Sequence, residues 1–194
     1  MTELLLVRHG ETDWNAARRW QGRDDPPLND RGLAQAYELA TSLENEHVDA
    51  LYTSDLRRAR MTAEVIAERL GLHVHALPEL REIDVGSWSG LTSVELEQRF
   101  PEQYARHLLS WGTGWEDGET PQQLTARIVA ALQRIAAEHP DDRVLVVAHG
   151  GVIRALTAVA LGVDFADFTR GTIVIGNCSV ARFACKSGVF RSLD

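Results

Sequence analysis

The chain has 194 residues, 44% of them apolar and 25% charged, which fits one globular domain with a substantial core. A formal net charge of −8 argues against a nucleic-acid surface, and no apolar run approaches the about 18–20 residues needed to span a bilayer. Met1-Thr2-Glu3 leads straight into an apolar stretch with no basic region or cleavable segment before it, so the expected location is cytoplasmic.

In chain order, Leu4-Leu5-Leu6-Val7 predicts a buried strand, Leu4 to His9, that delivers Arg8 and His9 to its carboxyl end before Gly10 turns the backbone. Ligands of open α/β sheets bind beyond the carboxyl ends of the strands, and a fixed cation beside an imidazole suits an anion, phosphate above all. Asn29 caps a helix whose Leu33, Ala36, Tyr37, Ala40 and Leu43 share one face. Val48 to Thr53 is a second strand. Ser54 then caps a helix carrying Leu56, Ala59, Ala63, Ile66, Ala67 and Leu70, with Gly71 at its stop. His73 to Leu77 reads as a short edge strand, and its His73-x-His75 pair as surface residues.

Between Leu80 and Glu119 the alternation breaks. That stretch holds Trp88, Trp111 and Trp115 and one amphipathic piece around Val94–Phe100. It reads as a lid or substrate wall, with the tryptophans supplying an apolar, ring-stacking surface. Thr120-Pro121-Gln122-Gln123 opens a helix with a capping box and proline at the first position. Arg143 to Ala148 is a further strand, running into His149-Gly150-Gly151 as the first strand runs into His9-Gly10. Val152 to Leu161 is a helix stopped by Gly162, and strands near Thr172–Ile175 and Ser179–Ala184 close the chain. The pattern predicts a single α/β domain over residues 1–194: three layers, α/β/α, with a mainly parallel sheet and an insert at about residues 80–120 over the strand ends. Two strand-terminal histidines face each other if their strands are neighbours.

Lys186 is the only lysine, so a phosphate clamp here has to be built from guanidinium groups. Cys178 and Cys185 lack metal-ligand spacing and read as reduced, buried filler. No His-x-x-x-His, strand-end His-x-His or aspartate cluster is placed to hold a metal, so neither metal nor other cofactor is expected.

Five blocks together resemble the histidine phosphatase superfamily, the phosphoglycerate-mutase-like fold: RHGETDWN (8–15), WQGRDDPPLNDRG (20–32), SDLRRARMTA (54–63), LREIDVGSWSGLT (80–92) and VVAHGGVIRAL (146–156). The resemblance implies His9 as a nucleophile that takes a phosphoryl group onto its ring, in keeping with the nucleophilicity of a neutral imidazole. Arg8 and Arg58 are then the clamp. The pattern S-D-L-x-R-A selects Arg58, whereas helical geometry alone does not choose it over Arg57 or Arg60. Asn15 and His149 become phosphate donors, with Gly150 beside them. Gln21 and Gly22 line one side of the pocket, although for the Gln21 side chain a plain surface turn fits equally well. Glu82 is the family's acid, which then activates water; by composition alone Glu79, Glu95, Glu97 and Glu119 compete with it. Glu11 reads as an anchor of the turn.

The same resemblance divides between phosphatases and mutases. Mutases carry a longer insert, an E-R-x-Y-G block and paired basic residues; here the block is Glu82-Ile83-Asp84-Val85-Gly86 and the insert offers only isolated Arg99 and Arg106. The expected activity is therefore hydrolysis of a small phosphorylated metabolite through phosphohistidine. A cofactor-dependent phosphoglycerate mutase and a non-catalytic phospho-ligand binder are the alternatives. No nucleic-acid or membrane partner is expected, a homodimer is left open, and the substrate is not named by the sequence.

Overall fold

The computed structural model describes residues 1–110, 115–165 and 175–194. Its centre is a six-stranded sheet built from β1 (Thr2–Arg8), β2 (Ala50–Thr53), β3 (Val74–Ala76), β4 (Arg143–Ala148), β5 (Val180–Lys186) and β6 (Val189–Ser192). The order is β3-β2-β4-β1-β5-β6; β1, β2, β3 and β4 run parallel, while β5 pairs antiparallel with both β1 and β6. This is the α/β sheet that the alternating pattern predicts.

Side chains alternate across a strand, and β1 divides the core accordingly. Leu5 and Val7 point to one side, against Ala36, Leu39 and Ala40 of α2 (Asp30–Ser42) and Ala59, Ala63 and Ile66 of α3 (Arg57–Leu70). Leu4 and Leu6 point to the other, with Leu124, Ile128 and Leu132 of α6 (Pro121–Glu138) and Val152, Ile153 and Leu156 of α7 (Gly150–Leu161). Leu4, Leu5 and Leu6 are 0% exposed, so each contributes the full value of a buried leucine, about 1.5–3 kcal/mol. No described helix is long and apolar enough to cross a membrane.

Several boundaries differ from expectation for local reasons. Ser54 does not cap α3. Its backbone N–H is still bonded to Val147 O in the sheet, and its hydroxyl accepts from Leu56 N–H (3.3 Å), closing the turn between strand and helix. Leu56 occupies the cap position without a side-chain bond. A one-turn helix, α1 (Asp13–Ala16), follows the first histidine. In the insert, α4 (Ser93–Arg99) matches the amphipathic piece and Pro101 then starts α5 (Pro101–Leu109). The strand expected near Thr172–Ile175 falls almost wholly outside the described residues. The chain ends instead in the β5–β6 hairpin, whose turn residues Ser187 and Gly188 have φ of +52° and +77°, the conformation that two-residue hairpin turns demand.

Candidate active site

The parallel β1–β4 ladder ends with Arg8 opposite Ala148, and His9 N–H then bonds Ala148 O at 3.0 Å. The next residue on each strand is a histidine, so the rings of His9 and His149 meet with centroids 5.2 Å apart. Gly10 lets the chain leave at once: a Cβ there would stand 2.4 Å from Gly32 O of α2. Glu11 ties the same turn down, accepting from Asn29 Nδ2 (3.1 Å) and pairing with Arg31 (3.4 Å).

His9 is oriented by its two ring nitrogens. Nδ1 lies 2.7 Å from Gly10 O; a carbonyl only accepts, so Nδ1 carries the proton and Nε2 the lone pair. Arg58 Nε donates to that lone pair at 3.2 Å, while its Nη1 and Nη2 reach Asp24 O (2.6 Å) and Gly22 O (2.9 Å). Arg58 is 0% exposed, whereas Arg57 and Arg60 face solvent, so the fold makes the choice that helical geometry left open. Arg8 Nη1 donates to Ile175 O (2.5 Å). Arg8 Nε and both ring nitrogens of His149 are buried without a hydrogen-bond partner among the described residues. A buried polar group left unmatched costs about 1–3 kcal/mol; Arg8 lines the cavity with His9, and the His149 ring packs on His9.

The other expected residues lie around these groups. Asn15 closes a capping box with Thr12, its Oδ1 accepting Thr12 N–H at 3.1 Å; this turns Nδ2, which has no acceptor among the described residues, outward. The Gln21 side chain is buried and accepts from the Thr12 hydroxyl (3.1 Å), so it is a wall and not a surface turn. Gly22 holds φ +50°, and a Cβ there would stand 2.7 Å from Val85 Cγ2. Glu82 is half-buried, its carboxylate accepting from Gly151 N–H (3.1 Å) and Ile83 N–H (2.9 Å). Among its competitors, Glu79 pairs with Arg134, Glu95 with Arg19 and Glu119 with Arg127, and Glu97 is exposed.

Burial is the first reason that both histidines are held neutral. It pushes His9 and His149 well below 6.5, and the nearby guanidinium groups of Arg58 and Arg8 add to the effect. Burial also lowers Arg58 to about 10, opposed by Glu82 and Asp25, and Arg58 stays a cation at neutral pH. The site therefore pairs a neutral imidazole lone pair with fixed positive charge.

Arg8, His9, Asn15, Gln21, Arg58 and Glu82 line a cavity of about 280 Å³, with Arg18, Arg19, Arg154 and Trp20 at its wall; His149 packs on His9 without being part of the lining. Trp88 and Trp115 do not line it. They are 1% and 5% exposed and pack with His107 behind Trp20, so among the described residues the one indole on the cavity is that of Trp20. Trp111 is outside the described residues. Arg99 and Arg106 also lie off the cavity, Arg106 pairing with Glu116. His73 and His75 pack on each other at the sheet edge, His75 also stacking on Tyr52, and no group of three metal-binding side chains occurs among the described residues.

Sequence reasoning missed Asn177. Its Nδ2 donates to His9 O (2.9 Å) and approaches Asn15 Oδ1 (3.4 Å), while Cys178 N–H bonds Arg8 O (2.9 Å). Gly176-Asn177-Cys178-Ser179 reads as ordinary turn chemistry, and nothing local to it signals contact with residues far away in sequence.

The sequence profile of the histidine phosphatase superfamily (branch 1) matches residues 4–193. Phosphoserine phosphatase 1 of Hydrogenobacter thermophilus is 37% identical over 169 residues, covering 87% of this chain and 80% of that protein. The probable phosphoglycerate mutase GpmB of Cronobacter sakazakii is 34% identical over 191 residues, covering 94% and 84%. Among solved structures, Bacillus stearothermophilus YhfR is similar with a TM-score of 0.90 at 32% identity, over 100% of this chain and 96% of the other.

Proposed function

The chain belongs to the histidine phosphatase superfamily, and we propose that within it the protein is a phosphomonoester hydrolase acting on a small phosphorylated metabolite through a phosphohistidine at His9. One observation carries this: the His9 Nε2 lone pair is buried beside Arg8 and the His149 ring, whose Nε and ring nitrogens have no hydrogen-bond partner among the described residues.

In the first step His9 Nε2 attacks phosphorus and the phosphorus–oxygen bond to the leaving group breaks. Glu82, protonated, gives its proton to the departing oxygen, and the alcohol leaves. In the second step the Glu82 carboxylate takes a proton from water, whose oxygen attacks phosphorus. The phosphorus–nitrogen bond breaks, inorganic phosphate forms and His9 regains its lone pair. Throughout, Arg8, Arg58, His149 and the Asn15 amide hold the equatorial oxygens, where the transferring group carries its charge. Gln21, Gly22 and Gly150 shape the wall around it.

Relatives carry phosphatase and mutase names alike. The hydrolytic reading gains support from Arg99 and Arg106, the insert's isolated arginines, which stand away from the cavity. Phosphate release from p-nitrophenyl phosphate, retained in chelator and lost in His9→Ala, is the expected result. Acid-labile labelling of His9 during turnover should accompany it. An unmodified His9 in protein that is actively hydrolysing overturns the reading, and turnover only after priming by a bisphosphorylated cofactor makes the protein a mutase.

A further inference from the structure

The positive charge around the cavity exceeds what one phosphoryl group requires. Arg8 and Arg58 line it with His9, and Glu82 is the one carboxylate lining it among the described residues. Among the described residues three further arginines reach the same cavity. Arg19 is committed elsewhere, to Gly90 O (2.5 Å) and Glu95 (2.9 Å). Arg154 flanks Arg8: a Cβ on Gly150 would lie 3.9 Å from Arg154 Nη1 and 3.8 Å from Arg8 Nε. Arg18 is exposed, lines the cavity, and forms no ion pair or side-chain hydrogen bond among the described residues.

The backbone at Arg18 is also unusual. It follows α1 with φ +54°, at the place where a helix commonly ends in a left-handed residue, its N–H returning to Asn15 O (3.0 Å) and that of Arg19 to Trp14 O (2.8 Å). Glycine or asparagine takes that conformation without strain, and arginine does not. A long cation is thus held in a strained conformation at the mouth of an anion site. The cavity, about 280 Å³, lies just below the about 300–1,000 Å³ typical of ligand pockets, which suits a short skeleton whose phosphate is bound below.

Building on the hydrolase reading above, we propose that Arg18 is a specificity residue that pairs with a carboxylate on the leaving-group side of the substrate, so that the preferred substrates are short phosphorylated carboxylic acids and not neutral sugar or polyol phosphates. A guanidinium matches a carboxylate with two parallel hydrogen bonds and has no such match in a lone hydroxyl.

The test compares 3-phosphoglycerate with glycerol 3-phosphate, which share a three-carbon skeleton and differ in the second charge. In the wild type the ratio of their kcat/KM values should favour the acid by tenfold or more. Arg18→Gly, which suits the left-handed backbone, should reduce that ratio about tenfold through KM, and Arg18→Lys should keep part of it. Equilibrium binding of both compounds to each variant gives the same comparison without turnover. A ratio that Arg18→Gly leaves in place, or a wild type that favours glycerol 3-phosphate, overturns the assignment of Arg18. Failure of the hydrolase reading is separate: it shows as no p-nitrophenyl phosphate turnover and no label on His9, and the binding ratio still decides the role of Arg18.

Discussion

Arg58 Nε donates to His9 Nε2 across 3.2 Å, occupying the very lone pair that the proposed reaction uses. Phosphorus reaches Nε2 only when that bond is exchanged for one to a phosphoryl oxygen, so a single guanidinium both guards the nucleophile and receives the charge. Its three directions, to His9, Gly22 O and Asp24 O, need a planar fork. Arg58→Lys keeps the charge and loses the fork; kcat/KM should fall about 10²–10³-fold, the usual effect of losing one preorganised donor. Steady-state kinetics beside a thermal melt check it, and a variant within threefold of wild type removes Arg58 from the clamp.

Glu82 is positioned by two backbone N–H groups, which a glutamine oxygen satisfies only in part, and an amide has no acidic proton to give. Glu82→Gln should lower kcat/KM, which reads the steps up to phosphohistidine, about 10²–10⁴-fold for an alkyl phosphate and far less for p-nitrophenyl phosphate, whose leaving group needs no proton; kcat should fall on both, because water attack on phosphohistidine uses the same carboxylate. Gly151→Ala tests the same carboxylate from its other side, because the added Cβ would stand 2.3 Å from Glu82 Oε1. Its loss should likewise be larger for the alkyl ester. Equal losses of kcat/KM on both esters in either variant would take the acid role away from Glu82.

Much of this was legible because the two histidines end strands that alternate cleanly between core faces, Leu4 and Leu6 to one side, Leu5 and Val7 to the other. What was hidden depends on tertiary placement. Arg58 is distinguished from Arg57 only by which side of α3 meets β1. Trp88 and Trp115 looked like a wall because tryptophan carries both packing and recognition, and here packing took them. Ser54 has the chemistry of a cap, but the sheet holds its backbone two residues too early.

Asn177 is the case most dependent on the fold, since it bridges His9 O and Asn15 Oδ1 from the far end of the chain. Asn177→Ala removes the donor to His9 O and one of the contacts to Asn15 Oδ1, which Thr12 still holds. The expected result is a fall in kcat of about tenfold or more with a smaller change in KM, because misplacement by about 1 Å is costly to a positioned reaction. Asn177→Ser, which retains a short hydroxyl donor, should recover part of kcat. A purely structural role would instead lower the melting temperature and leave the kinetics of the folded protein as they were.

Three buried histidines make stability sensitive to acid. Burial pushes His9 and His149 well below 6.5 and His107, enclosed by Trp20, Trp88 and Trp115, to about 4. In the unfolded chain each takes up a proton below about pH 6.5, while in the folded protein it does not, so the unfolded state binds more protons and folding free energy falls as pH drops. The loss begins near pH 6.5 and continues for His107 until about 4, where the folded ring also protonates. Each such group contributes a slope of up to about 1.4 kcal/mol per pH unit. Urea unfolding at pH 7.5, 6.0, 5.5 and 5.0 should show the three together, and His107→Gln should flatten the curve by one proton's worth between pH 6 and 5. A His107→Gln curve parallel to wild type over that interval would mean that the ring among the tryptophans is already charged in the folded state, contrary to its burial.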